Sequence, residues 1–391
     1  MLSSLLLVLA HYHANLDIMR TLLLAGGGLC HALCLPKLRA RLPEDVRLLL
    51  ISLERFMLYP AMLPGLVAGD YRFRDCHIDL GSLCHSTDTE LVFGRLEELD
   101  LDNRRAQLGD GRELSFDLLS LNIGLDADTR PAGVAEQALS LKPLSQFLPH
   151  WQQTLERLYA RGRTEPAKLG IVGGGVQAME LALAIRHQLQ HDPRLKAPVE
   201  VHLIHSGSKL LPEFPLAGQI RGAQLLQQRQ VRDHPLFLVT RIESGELFTD
   251  RNQHLPMDEV LWCEPGRATA FLDRAQLSTT ERGLVEVNRH LQSISHPQVF
   301  AVGDMAAGAD TPVQSDGLVL RQAPVLADNL LRQLSREPLQ AYKPAHQTLS
   351  IVNASEDYAL ARFGNWVCAG AWVWRWKRYR DLKFMAQFPR A

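Results

Sequence analysis

Net charge is almost absent from this chain. Its 42 lysines and arginines stand against 43 aspartates and glutamates, a formal −1 over 391 residues. That balance excludes global steering toward nucleic acid, so no nucleic-acid partner is expected. Cysteine is also sparse, and the six present, at 30, 34, 76, 84, 263 and 368, form neither a CxxC pair nor a zinc-finger spacing. In a chain this long they read as buried or free thiols of a reducing compartment, which points to the cytoplasm. No zinc, haem or phosphoryl-transfer signature occurs, and His11-Tyr12-His13 lacks further ligands, so no metal is expected. The apolar run Met1 to Ala10 has the look of a signal segment. It lacks a preceding Lys or Arg and a following A-x-A-like site, and it is too short to cross a bilayer. Residues 1–18 are expected to be an extension outside the fold. What remains is ordinary globular composition, 46% hydrophobic and 22% charged, in a length that suits two or three domains.

What is present is a repeated glycine turn. Met19 to Ala25 is a short apolar run that enters Gly26-Gly27-Gly28, and an apolar helix is expected from Leu29 to Arg41. Strand, glycine turn and helix in that order open a dinucleotide-binding βαβ unit. The glycines let the backbone approach a pyrophosphate, and the helix N-terminus offers amides and a partial positive charge. Lys168 to Val172, Gly173-Gly174-Gly175 and Val176 to Leu181 repeat it about 150 residues later. One such unit suits one dinucleotide; two suit two cofactors.

Between these turns, Val46 to Ile51 reads as a buried strand, with Glu54 the nearest acid to its end, either a ribose ligand or a solvated loop residue. Tyr59 to Gly69, with two prolines and two glycines in apolar surroundings, reads as a shaped loop lining something. Asp110-Gly111 signals a hairpin, and Asp117 to Gly124 a returning strand. Helix is expected over 144–161 and strand over 199–204. Val299 to Val302 is expected to run through Gly303-Asp304 into a helix. A Gly-Asp pair there is either a helix N-cap or a cofactor contact.

With these residues the chain resembles the FAD- and pyridine-nucleotide-dependent oxidoreductases that carry two dinucleotide-binding domains. It is most similar to the flavoprotein module fused ahead of selenide, water dikinase, and through it to type II NADH dehydrogenases. The closer likeness lies in Tyr59 to Gly69, His77 to Leu80, Lys142-Pro143, His290 to Ser293, Phe300 to Asp304, Leu320 to Leu330 and the Trp374 to Met385 tail. The resemblance implies an α/β fold of two Rossmann-like domains, with the FAD domain (19–140 and 281–335) interrupted by an NAD(P) domain (141–280) and followed by a small C-terminal α+β domain (336–391). It implies that Gly26 and Gly28 seat the FAD pyrophosphate, with His31 where the motif has its third glycine. Gly303, Asp304 and Met305 approach ribityl and pyrophosphate, and Tyr59, Pro60 and Leu63 flank the isoalloxazine. Gly173 and Gly175 seat NAD(P)H. Glu180 stands near the nicotinamide, or is a helix-start carboxylate favoured by the dipole; Lys142 lies near the flavin, or is a surface lysine.

Two departures concern the second site. After the 199–204 strand comes His205-Ser206-Gly207-Ser208-Lys209, with no acid; Lys209 suits a 2′-phosphate. Trp262 to Arg267 replaces an expected Ala-Thr-Gly turn. Three functions stay open: an FAD-dependent NAD(P)H dehydrogenase serving a quinone-like acceptor, a reductase of selenium or sulfur metabolism, and a non-catalytic flavin binder with a decayed second site. The tail bears on the first. Residues 362–391 hold seven Lys and Arg against Asp381, with Trp366, Trp372, Trp374 and Trp376. This suits peripheral contact with the inner face of a membrane, or a closing helix with a wet basic side.

Overall fold

Each glycine turn follows the middle strand of its own five-stranded, all-parallel sheet. The computed structural model describes residues 19–162, 165–190, 192–308, 316–345 and 347–389; the expected extension 1–18 lies outside them. The chain divides into two units, one of residues 1–57, 79–124 and 268–344, the other of 58–78, 125–267 and 345–391. The expected domain boundaries at 140, 280 and 335 therefore differ from the unit boundaries at 124, 267 and 344. The C-terminal segment groups with the second unit.

In the first unit the sheet runs Val299–Ala301, Leu118–Leu121, Arg20–Ala25, Val46–Ser52, Glu90–Phe93. All neighbours are parallel, with Leu22 opposite both Leu48 and Leu118. Leu22, Leu23 and Leu24 are inaccessible to solvent. Burial on both faces explains why these strands read as continuous apolar runs instead of alternating. The Leu29–Arg39 helix packs on the Asp316–Leu334 helix. Asp328 joins them by accepting from Lys37 Nζ at 2.8 Å and Arg41 Nη1 at 2.9 Å. The Asp110-Gly111 hairpin belongs to a three-stranded antiparallel sheet, Leu96–Asp100, Arg105–Leu108 and Glu113–Ser115.

The second unit repeats the plan, in the order Leu139–Ser140, Glu259–Trp262, Ala167–Val172, Val199–Ile204, Val231–His234, again parallel throughout. Two three-stranded antiparallel sheets accompany it, one over 241–256 and one over 349–370. The last helix is Ala371–Met385.

Two local expectations are corrected. Residues 59–69 are not a loop: Pro60–Met62 is a 3-10 turn and Leu63–Ala68 an α-helix. Each proline stands at the first or second position of its helix, where the missing N–H costs nothing. Gly69 ends the segment at φ +88, the left-handed stop. Nor does the late strand enter a helix directly. Gly303–Met305 is a 3-10 turn, followed by a short strand, Ala306–Gly308, before the Asp316–Leu334 helix.

The Ala371–Met385 helix buries a charged pair between two apolar residues, Val373 and Met385. Lys377 and Asp381, 7% and 9% exposed, pair at 2.7 Å, and Lys377 Nζ also donates to Ala61 O at 2.7 Å. Burial pushes the Asp381 carboxyl up; Lys377 opposes that. Breaking a buried pair leaves one charge uncompensated, at about 3–5 kcal/mol, whereas replacing both members by apolar residues is far milder. Lys377→Ala is therefore expected to lower the urea midpoint strongly and Lys377→Met/Asp381→Leu much less, both followed by tryptophan fluorescence.

Candidate functional site

The first glycine turn is built against Asn122, the residue that follows the Leu118–Leu121 strand. A Cβ on Gly26, whose φ is +103, would meet Asn122 O at 2.4 Å; one on Gly28 would meet Asn122 Oδ1 at 2.2 Å. From the other side comes Gly303, φ +73, where a Cβ would meet Asn122 Nδ2 at 2.7 Å. Asn122 Nδ2 donates to Val302 O at 3.2 Å, while its Oδ1 is buried without a hydrogen-bond partner. Gly303 N donates to Gln322 Oε1 at 2.9 Å. No side chain caps the Leu29–Arg39 helix, and its first turn carries no acid. A helix N-terminus with no competing anion, a turn without Cβ atoms and an orphaned polar oxygen fit a phosphate-bearing ligand. The residues present thus fit the FAD pyrophosphate.

His31 belongs to this construction. It is fully buried, with Nδ1 2.8 Å from Gly26 O and Nε2 2.8 Å from Ser120 Oγ. The carbonyl can only accept, so Nδ1 carries the hydrogen and Nε2 accepts from the serine hydroxyl. A neutral imidazole thus fills the space of the motif's third glycine and tethers the carbonyl of a strained residue. Burial holds its pKa down near 4.

The remaining predicted residues fall into two sets. In the first unit, Glu54 is exposed, its amide and carbonyl both turned onto Ser52 Oγ. Ser52, not Glu54, ends the strand and lies 2.6 Å from where a Cβ on Gly27 would be. Asp304 is half-buried in the 3-10 turn, and Met305 is fully buried with its sulfur accepting from Ile123 N at 3.3 Å. Met305 therefore does not open a helix, contrary to expectation; the turn closes after three residues and the chain goes extended. In the second unit, Tyr59 is buried, with its ring 4.8 Å from that of Phe384. Pro60 opens the 3-10 turn, and Leu63 is wholly buried at the start of the following helix.

The second glycine turn carries Gly173 at φ +148, where a Cβ would press on Cys263 O and Cβ at 3.1 and 3.2 Å. Nothing lies within 4 Å of a Cβ on Gly175. The helix it opens, Val176–Gln190, has no acid in its first turn. Trp262 to Arg267, the segment in place of the expected turn, is pinned by Cys263 N to Val172 O at 2.8 Å and by reciprocal 2.9 Å bonds between Asp126 and Arg267. The turn is thus intact in spite of its sequence. Glu180, 7% exposed, accepts from Asn353 N at 2.7 Å. The Lys142 stem lies 3.1 Å from where a Cβ on Gly266 would be. Asn122 and Gln322 were not singled out by their types; the available signal was a polar residue immediately after an apolar strand that follows a glycine-turn unit.

Four of the six cysteines are withdrawn from solvent, while Cys263 is half-buried and Cys368 exposed. Cys30, Cys34, Cys76 and Cys84 are buried, and burial pushes the Cys30 and Cys263 thiols far above their ordinary range and Cys84 up to about 11. A reactive cysteine needs the opposite shift. Among the described residues no His, Cys, Asp and Glu cluster could hold a metal ion.

The family described as pyridine nucleotide-disulphide oxidoreductase matches residues 151–329. The chain is similar to that family over those residues, and it is an oxidoreductase working with FAD and NAD(P)H. It is 27% identical to ferroptosis suppressor protein 1 of Homo sapiens over 76% of this chain and 79% of that one. It is 24% identical to the demethylphylloquinone reductase NdbB of Synechocystis, over 68% and 67%. Its fold matches the sulfide:quinone oxidoreductase of Aquifex aeolicus with a TM-score of 0.78 at 20% identity, covering 94% and 91% of the two chains.

Two outcomes are expected. In Gly28→Ala the methyl must displace Asn122, about 1–3 kcal/mol of distortion. The purified protein should lose roughly tenfold or more in FAD affinity, read from flavin absorbance after dialysis. His31 titrates near 4 when folded against an ordinary 6.5, so the unfolded chain binds the extra proton first. Stability is then full above the unfolded value and falls as pH drops, by about 3 kcal/mol at pH 4. His31→Asn, which keeps a donor for Gly26 O, should flatten that slope in urea titrations at several pH values.

Proposed function

We propose that this oxidoreductase takes a hydride from NAD(P)H onto FAD and passes the electrons to a membrane quinone. The observation that carries it is the duplicated seat: two glycine turns, each at the end of a central parallel strand and each opening a helix whose first turn bears no acid. Bound FAD would supply the hydride acceptor and electron carrier; the chain supplies position and polarity.

In this reading Gly26, Gly28 and Gly303 admit the FAD diphosphate beside Asn122, and Asp304 takes a ribityl hydroxyl. The Met305 amide faces the diphosphate, and Glu54 and Ser52 share the adenosine end. Tyr59, Pro60 and Leu63 flank the isoalloxazine, Gly173 and Gly175 admit the nicotinamide dinucleotide, and Lys142 lies toward the flavin. Glu180, its carboxylate tied to Asn353 N, serves as a positioning residue at the nicotinamide. An open second turn disfavours a decayed site, and the burial of Cys30 and Cys34 disfavours a disulfide role for that pair.

The quinone assignment draws on the names of the Synechocystis reductase and the Aquifex aeolicus oxidoreductase, and on the surface of the last helix. Trp372, Trp376 and Tyr379 are exposed on it, and Trp366, which opens the strand before it, is 82% exposed. Arg380 lies over the Trp376 ring at 5.0 Å and Lys383 over Tyr379 at 5.8 Å. Exposed aromatics under cations suit the headgroup layer of an anionic membrane. No helix among the described residues is long and apolar enough to cross one, so contact would be peripheral, at the inner face.

The test is anaerobic. NADH or NADPH should bleach the flavin of the purified protein, and a short-chain quinone should restore it; bleaching by neither sinks the reading. Co-sedimentation with anionic vesicles at low salt should weaken roughly tenfold in Trp372→Ala/Trp376→Ala.

A further inference from the structure

His205 stands at the end of the Val199–Ile204 strand, where a dinucleotide-binding unit ordinarily places the acid that holds the adenosine ribose. It is 2% exposed. Its Nε2 lies 3.0 Å from Asp233 Oδ1, at the neighbouring strand. Its Nδ1 is buried and has no hydrogen-bond partner. That nitrogen points into a notch with no side chain on either side: a Cβ on Gly174 would come within 3.5 Å of it, and one on Gly207 within 3.6 Å. The notch is rigid. Gly173 N donates to Ile204 O at 2.8 Å, Leu211 N to Gly174 O at 3.0 Å, and Leu236 N to Gly207 O at 3.0 Å.

Asp233 decides what the imidazole offers. A carboxylate has no proton to give, so Nε2 carries the hydrogen. With that hydrogen on Nε2, Nδ1 is left to present its lone pair, the same acceptor function that a ribose-binding carboxylate provides. A hydroxyl can donate to it; a dianionic phosphate meets a lone pair instead of a donor. Leaving a buried acceptor unpaired is costly, so a ligand that satisfies it gains.

We infer that His205 reads the adenosine ribose of the pyridine nucleotide, its Nδ1 accepting the 2′-hydroxyl, and that the chain therefore selects NADH over NADPH. This rests on the reading of Gly173 to Gly175 as the pyridine-nucleotide seat. It reverses the indication from Lys209, which is exposed four residues further on.

Isothermal titration of the FAD-loaded protein with ADP-ribose and with 2′-phospho-ADP-ribose tests it without turnover. ADP-ribose should bind about tenfold tighter or more, the worth of one buried hydrogen bond. His205→Ala should erase that ratio by weakening ADP-ribose, with flavin content unchanged. Asp233→Ala, which frees the tautomer, should reduce it. Tighter binding of the 2′-phosphate, or a ratio unmoved in His205→Ala, overturns the assignment. If both variants misfold, the wild-type ratio alone decides. Equal binding of the two fragments overturns only the role of His205, whereas binding of neither overturns the nucleotide seat, and this assignment with it.

Discussion

Asn122 is the constraint around which the first seat is built. Three glycines from two distant parts of the chain, Gly26 and Gly28 in one turn and Gly303 far along it, each place their missing side chain 2.2–2.7 Å from one of its atoms. Those separations are far below any contact a real methyl tolerates, so the asparagine and the glycines specify one another. The purpose of the crowding is to bring bare backbone to the end of a helix. A phosphate would be held there by amides and the helix dipole, and any Cβ would stand between the two. His31 completes the arrangement from behind, tethering the carbonyl of Gly26 through a ring kept neutral by burial.

The second seat meets the same requirement with other residues. Cys263, not an asparagine, closes against Gly173, and the histidine has moved from the helix to the end of the next strand. Both buried histidines have one nitrogen committed by an acceptor, Gly26 O for His31 and Asp233 for His205. They differ at the other nitrogen. That of His31 meets Ser120 and is spent inside the protein; that of His205 meets nothing. The distinction between a structural and a ligand-facing histidine is therefore carried by one missing hydrogen bond, with burial the same in both.

How legible all this was depends on the range of the interactions. The paired glycine turns, the strand at 199–204 and the helix at 144–161 were readable because each is determined locally, by apolar runs buried on both faces and by turn residues at fixed positions. Residues 59–69 were misread for a local reason, since proline breaks a helix only beyond its first turn, and both prolines here fall inside it. The Gly303 segment was misread because its conformation is set from afar, by Gln322 on a later helix and by Asn122. Asn122 has no motif at all, and His205 stands where the motif has an acid. Their roles exist only once parallel strands bring the end of one beside the glycine turn of another.

The C-terminal helix shows why an aromatic-rich segment can remain exposed. Its apolar residues recur every three positions, so the stripe winds around the axis and no single face can bury it. A helix like that ordinarily fails to dock. Here Val373 packs inward against Ala359 and Ala361, and the buried Lys377–Asp381 pair is anchored to Ala61 O. Being directional, the pair fixes the helix rotation where hydrophobic contact alone would leave it free. With that rotation fixed, Val373 and Met385 turn inward while Trp372, Trp376 and Tyr379 turn out. The outward aromatics are thus a consequence of a docking solution that does not use them, which leaves them available to a surface outside the protein.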